Sequence, residues 1–128
     1  MVKKLLALGG DGLGPEVLES GLRILETVSK GIKVNFDIDF DLIGGICWDK
    51  YGTFCRNITI QKAKEVDAIL VGAVGGPKWD AMKIKGDPVD QDGLMCLRKK
   101  LDTFFGIRPI KYYKSLHKIC LLYTSPSP

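Results

Sequence analysis

Two short apolar runs, each broken by glycines at its C-terminal end, constrain this chain most. Val2 to Leu8 runs into Gly9-Gly10-Asp11-Gly12-Leu13-Gly14-Pro15-Glu16, and Ala68 to Val74 runs into Gly75-Gly76-Pro77-Lys78-Trp79-Asp80. Brief continuous apolar runs of this kind are what a parallel sheet covered on both faces buries. Between them, Val34, Phe36, Ile38, Phe40 and Leu42 alternate with Asn35, Asp37, Asp39 and Asp41. A period of two predicts a third strand with one buried and one wet face. Its aspartates fall about 7 Å apart along the strand, too far to share an ion, and read as a solvated face.

Helical spacing fills the gaps. Val17, Leu18, Gly21, Leu22, Leu25 and Val28 predict an amphipathic helix from Pro15 to about Ser29, with Pro15 in the first turn and Gly31 as its stop. Gly44-Gly45 breaks the alternating strand. Ile46 to Tyr51 then predicts one or two helical turns closed by Gly52-Thr53. Asn57 is positioned to cap a helix running to about Glu65 that buries Ile58, Ala63 and Val66. A last helix is capped by Asp92, with Leu94, Leu97, Leu101 and Phe104 or Phe105 as its apolar stripe. Strands alternating with helices predict an α/β fold with a mostly parallel sheet.

Chemistry concentrates toward the C-terminal ends of the apolar runs, the edge of an open α/β sheet where ligands bind. Gly10, Gly12 and Gly14 give G-x-G-x-G with Pro15 in place of a third spaced glycine, so the dinucleotide fingerprint is incomplete. A ligand-approaching loop and a plain tight turn both remain open for it. Arg98 lies one helical turn past Leu94, and Pro109 biases Arg108 toward extended backbone. Two guanidiniums ten residues apart can converge on one small anion if the helix turns back between them, and their planar forks suit a carboxylate.

Other classes are excluded or weakened. The cysteines at 47, 55, 96 and 120 form no C-x-x-C, and His117 is the single histidine, so no zinc or iron–sulfur framework is present. They read as reduced, half-buried core residues. A net charge of +4, much of it in Lys99 to Lys118, reads as a solvated basic face and not a nucleic-acid footprint. Leu5 to Leu8 is too short for a signal peptide's apolar core or a membrane span, which predicts a cytoplasmic location.

Taken together, Gly10-Asp11-Gly12-Leu13-Gly14-Pro15-Glu16, Gly44-Gly45, Val71 to Asp80, Leu94 to Lys100 and Arg108-Pro109 resemble the N-terminal part of the β-decarboxylating dehydrogenases. The resemblance covers residues 2 to about 114 and lies nearest the 3-isopropylmalate branch of the isocitrate/isopropylmalate dehydrogenase family. It implies part of that family's α/β fold, incomplete here. It implies NAD-dependent oxidative decarboxylation of a 2-hydroxy acid in leucine biosynthesis, with Mg2+ or Mn2+, in a full-length homodimer. Carried over by position, Arg98 and Arg108 grip the malate carboxylates, and Leu94 with Met95 meets the variable arm of the substrate. Gly76, Pro77, Lys78, Trp79 and Asp80, continuing to about Val89, and Gln91 lie on the nicotinamide side of the cofactor. Gln91 stands where the family often has glutamate, and Gly9 where it usually has proline.

Leu94 suits an isopropyl group, and Asp92 stands where an isocitrate enzyme would receive a third carboxylate, which favours 3-isopropylmalate over isocitrate, tartrate or homoisocitrate. The catalytic tyrosine and lysine and the metal-binding aspartates of the family have no counterparts here, so the chain alone is expected to be inactive. The expected organisation is a family-like portion over 1–114 and a non-native or disordered tail over 115–128. A non-catalytic anion- or nucleotide-binding fragment is the alternative.

Overall fold

The computed structural model describes residues 1–82 and 92–109. Strand β1 (Val2–Gly10) leads through a glycine loop into helix α1 (Gly14–Ile32), and strand β2 (Asn35–Asp41) follows. Two short helices, α2 (Gly45–Tyr51) and α3 (Asn57–Glu65), lead to strand β3 (Ala68–Ala73). Helix α4 (Pro77–Asp80) and helix α5 (Gly93–Lys100) complete the described elements. The strands form a parallel sheet of order β2-β1-β3. The predicted α/β class and all three strands are therefore present.

Because successive side chains on a strand point to opposite faces, β1 builds two layers at once. Leu6 and Leu8, both 0% exposed, join Ile43, Cys55, Ile60, Ala63, Cys96 and Leu97 in the core beneath α3 and α5. Leu5 and Ala7 look the other way, toward Leu18, Leu22 and Leu25 of α1.

Several expectations change. Gly31 does not stop α1. The helix continues to Ile32, and Lys33 takes the left-handed conformation at φ 54°, with the amides of Lys33 and Val34 both donating to Ser29 O. Val17 and Val28 of α1 stay largely exposed, and Leu18 is the one apolar side chain of the helix that is fully buried. Arg56, not Asn57, occupies the N-cap of α3, and Ile58 is exposed while Thr59, Ile60 and Ala63 are buried. Strand β3 is only half-buried, because it forms an edge of the sheet among the described residues.

The aspartate face of β2 is not simply solvated. Helix α3 lies over it with Arg56, Thr59 and Lys62, three residues apart and therefore on one helix face. Asp41 accepts from the Arg56 guanidinium, from Thr59 Oγ1 at 2.9 Å and from Leu42 N at 2.8 Å. Asp39 pairs with Lys62 at 2.7 Å. Burial pushes the Asp41 carboxyl up, but the hydrogen bonds from Leu42, Thr59 and Arg56 together hold it below the usual carboxylate range. Meanwhile Phe40, on the apolar face, is 59% exposed.

Candidate functional site

At the C-terminal edge of the sheet, backbone packs on backbone. Asp11 N donates to Ala73 O at 2.7 Å, so the β1–α1 loop lies against the end of β3. A Cβ on Gly10, whose φ is +77°, would stand 1.9 Å from Ala73 O. Close approach of two strand ends accounts for this glycine without a ligand.

Asp11 is 3% exposed, and its carboxylate turns inward. Oδ2 accepts from Gly45 N at 2.8 Å and from Gly75 N at 2.9 Å, and Oδ1 accepts from Ile46 N at 2.7 Å. It thus satisfies the first amides of α2, whose own N-cap residue, Gly44, has no side chain to do so. The same carboxylate fixes the start of the β3–α4 loop.

That loop carries the predicted cofactor-side residues. Trp79 lies over Gly45 so closely that a Cβ there would stand 2.0 Å from the indole Cδ2. Asp49 of α2 accepts from Trp79 Nε1 at 3.2 Å and from Lys78 Nζ at 2.6 Å. Those two hydrogen bonds, the lysine's first, hold the Asp49 carboxyl below its ordinary value. Pro77 opens α4, and Gly76 N donates to Asp80 Oδ1 at 3.4 Å. A cavity of about 230 Å3 opens beside them, walled by Phe54, Val74, Trp79, Met82 and Gly93 together with Asp80 and Asp92. Gln91 and the stretch from residue 83 to Val89 lie outside the described residues.

Helix α5 carries the predicted substrate-side residues. Asp92 caps it as expected, with Oδ1 accepting from Leu94 N at 2.9 Å and Met95 N at 3.1 Å. Leu97 and Cys96 are buried and fix the rotation of the helix, leaving Leu94 and Arg98 half-buried and Met95 exposed. The helix ends in a Schellman turn: Asp102 N donates to Lys99 O at 3.2 Å and Thr103 N to Arg98 O at 3.1 Å, with Asp102 left-handed at φ 55°. Phe104 and Phe105 therefore fall beyond the helix and are 97% and 73% exposed, not part of its stripe.

The reversal also brings Arg108 back. Arg98 Nη2 and Arg108 Nη1 each lie 3.7 Å from the point where a Cβ on Gly106 would stand. The two guanidiniums flank one spot and are no further apart than twice that distance. Neither makes an ion pair with a carboxylate among the described residues.

The pattern of the isocitrate/isopropylmalate dehydrogenases matches residues 4–125. The chain belongs to the isocitrate/isopropylmalate dehydrogenase family. Among relatives, the 3-isopropylmalate dehydrogenase of Lactococcus lactis is 40% identical over 119 residues, which are 93% of this chain and 33% of that protein. That of Bacillus subtilis is 42% identical over 116 residues, 91% of this chain and 31% of that one. That of Dehalococcoides mccartyi is 44% identical over 113 residues, 88% and 30% respectively. The chain spans about a third of the length of these relatives. A β-decarboxylating dehydrogenase from Thermococcus kodakarensis shares the fold at a TM-score of 0.60 and 22% identity, over 78% of this chain and 27% of that one. An isocitrate dehydrogenase from Methylococcus capsulatus does so at 0.55 and 19%, over 70% and 24%.

Within this family segment, Asp11 and Asp49 escaped the sequence reading. Asp11 stands in the loop before a helix, and its partners are 34, 35 and 64 residues away, beyond any local signal. Three cysteines, Cys47, Cys55 and Cys96, are buried outside any disulfide and more enclosed than expected, and Cys120 lies outside the described residues. No helix among the described residues is long and apolar enough to cross a membrane.

Proposed function

We propose that this chain is the N-terminal portion of an NAD-dependent 3-isopropylmalate dehydrogenase, a cytoplasmic homodimer at full length that acts in leucine biosynthesis. The observation that carries the reading is that Arg98, one helical turn past Leu94, and Arg108 both stand close to one point at Gly106. Two planar guanidiniums close to one spot suit the carboxylates of a malate, each pairing through charge-assisted hydrogen bonds. Leu94 and Met95 would receive the isopropyl arm. Asp92 stands at the same helix start, and its carboxylate would disfavour an additional substrate carboxylate there.

The cavity between α4 and α5 fits a flat cationic ring: apolar walls from Phe54, Val74 and Trp79 accompany Asp80 and Asp92. Gly76, Pro77, Lys78, Trp79, Asp80 and Gln91 would hold the nicotinamide side of NAD. When bound, NAD supplies the hydride acceptor for oxidation of the 2-hydroxyl. The residues of this chain would orient the acid and the ring. Among the described residues no three His, Cys, Asp or Glu side chains gather as a metal site.

The test is thermal unfolding of the chain with millimolar 3-isopropylmalate. Binding to the folded state raises the midpoint by mass action. Protection by 3-isopropylmalate, weaker protection by isocitrate, and loss of protection in Arg98→Ala are the expected results. Equal protection by both acids would remove the substrate assignment, and protection that survives Arg98→Ala would remove the site.

A further inference from the structure

The paired glycines Gly44 and Gly45 carry no side chain that could touch a ligand, yet both halves of the site rest on them. Trp79 of the cofactor-side loop lies on Gly45, where a Cβ would meet the indole at 2.0 Å. Helix α5, carrying Leu94 and Arg98, begins on Gly44: a Cβ on Gly93 would lie 2.8 Å from Gly44 N and 2.7 Å from Phe54 O. Gly44 N is itself tied to Phe54 O at 2.8 Å. Gly44 adopts φ +83°, and any Cβ there would stand 2.3 Å from Asp11 Oδ2. The segment is thus a thin plate pressed between two functional elements, and the buried carboxylate of Asp11 fastens it from behind.

We infer that Asp11 is a positioning residue that sets the spacing between the cofactor-side loop and the substrate-side helix. It does so through Gly44-Gly45 and through its direct bond to Gly75 N. The inference rests on the functional reading above for the identity of the two ligands, but not for the geometry. A carboxylate that receives three amides from two separate segments acts as a rigid joint, because charge-assisted hydrogen bonds are short and directional. Without it Gly45 and Gly75 have no shared acceptor, and the loop and plate can slide independently. Misplacing bound groups by as little as about 1 Å can lower reaction rates by roughly a hundredfold.

The experiment is solution NMR of the whole 128-residue chain, wild type, Asp11→Asn and Gly45→Ala, titrated with NAD+ and with 3-isopropylmalate. Scalar couplings across the hydrogen bonds from the amide nitrogens of Gly45, Ile46 and Gly75 to Asp11 Cγ report the joint directly in the wild type. Asp11→Asn is expected to move the Trp79 indole resonance and the Leu94 and Met95 amides together. It is expected to weaken both ligands by about tenfold, the scale of losing one charge-assisted hydrogen bond. Gly45→Ala, which leaves Asp11 in place, is expected to displace the indole and weaken NAD+ alone. Absence of the couplings, or Asp11→Asn with both affinities within twofold of wild type, overturns the inference. If the wild type binds neither ligand, the functional reading fails by itself. The joint then stands or falls on whether Asp11→Asn shifts the indole and the α5 amides in concert. Should Asp11→Asn fail to fold, the wild-type couplings and the one-sided effect of Gly45→Ala decide it.

Discussion

Removing the Asp41 carboxylate should be among the most destabilising surface-layer changes in this chain. Its side chain is 4% exposed, and Arg56, its ionic partner, is 25% exposed. Asp41→Ala strips an acceptor from the Arg56 guanidinium, from the Thr59 hydroxyl and from the Leu42 amide at once. Thr59 is 0% exposed, so water cannot replace the lost bond without opening the fold. Arg56 Nε is already buried without a partner among the described residues, so the guanidinium has little in reserve beyond its stacking on Tyr51 at 4.2 Å.

Breaking a buried ion pair on one side costs about 3–5 kcal/mol, and stranding a buried hydroxyl costs about 1–3 kcal/mol. Because Arg56 keeps some solvent contact, the combined effect is set at about 3–4 kcal/mol, inside the range for one-sided loss. That corresponds to a midpoint drop of roughly 12 °C or more for a chain of this size. Asp41→Asn keeps an acceptor for Thr59 and should cost about half as much. The assay is urea or thermal denaturation followed by circular dichroism. A loss below about 0.5 kcal/mol, the usual scale of surface substitutions, would refute the reasoning. The pH dependence has a definite sign. The folded Asp41 titrates below its unfolded value of about 4, so its contribution is complete above that value and is lost as pH falls through the lower, folded one. Asp41→Asn should flatten the acid limb of a stability–pH curve.

Other consequences are separable. Gly45→Ala forces a methyl against the Trp79 indole and should cost about 1–3 kcal/mol as overpacking, with a shifted tryptophan emission; an unchanged spectrum and melt would contradict the contact. Asp92→Ala removes the α5 cap and should cost about 1 kcal/mol, read by denaturant midpoint, while Asp92→Ser should recover most of it. Burial pushes the Cys55 thiol up to about 12, with Cys96 and Cys47 adding to the shift. In the native chain at pH 8 it should therefore resist alkylation and react at the rate of unfolding, measured by mass spectrometry; rapid native labelling would refute its enclosure. Lys33→Gly places the preferred residue at the left-handed end of α1 and should stabilise by about 0.5–1 kcal/mol, visible as a raised midpoint.

What the sequence revealed follows the range of the interactions. Strand β2 was legible from Val34 to Leu42 because alternation is a local signal, and Gly52 and Asp92 were legible as stop and cap because each acts within one turn. Asp41 was misread as solvated because its partners come from α3, fifteen and eighteen residues on. The apolar pattern of α1 predicted a helix but not how little of its face is covered. Phe104 and Phe105 fit a helical stripe on paper, yet the Schellman turn at Asp102 ends α5 before reaching them. That same turn places Arg108 beside Arg98, so the convergence expected of the arginines depended on a reversal whose residue, an aspartate instead of glycine, carried only a weak signal. Asp11 was hidden most deeply, since nothing in Gly10-Asp11-Gly12 tells which way a carboxylate turns.

In the function proposed above, this segment carries the substrate-selecting portion of a 3-isopropylmalate dehydrogenase. The most direct measurement replaces the matching N-terminal third of the Bacillus subtilis 3-isopropylmalate dehydrogenase with this chain's residues 2–109 and compares kcat/KM for 3-isopropylmalate and isocitrate. The expected result is an active chimera that prefers 3-isopropylmalate by at least a hundredfold, on the order of 3 kcal/mol, and that loses activity with Arg98→Ala or Arg108→Ala. A soluble, folded chimera that prefers isocitrate, or one whose activity is indifferent to both arginines, would contradict it.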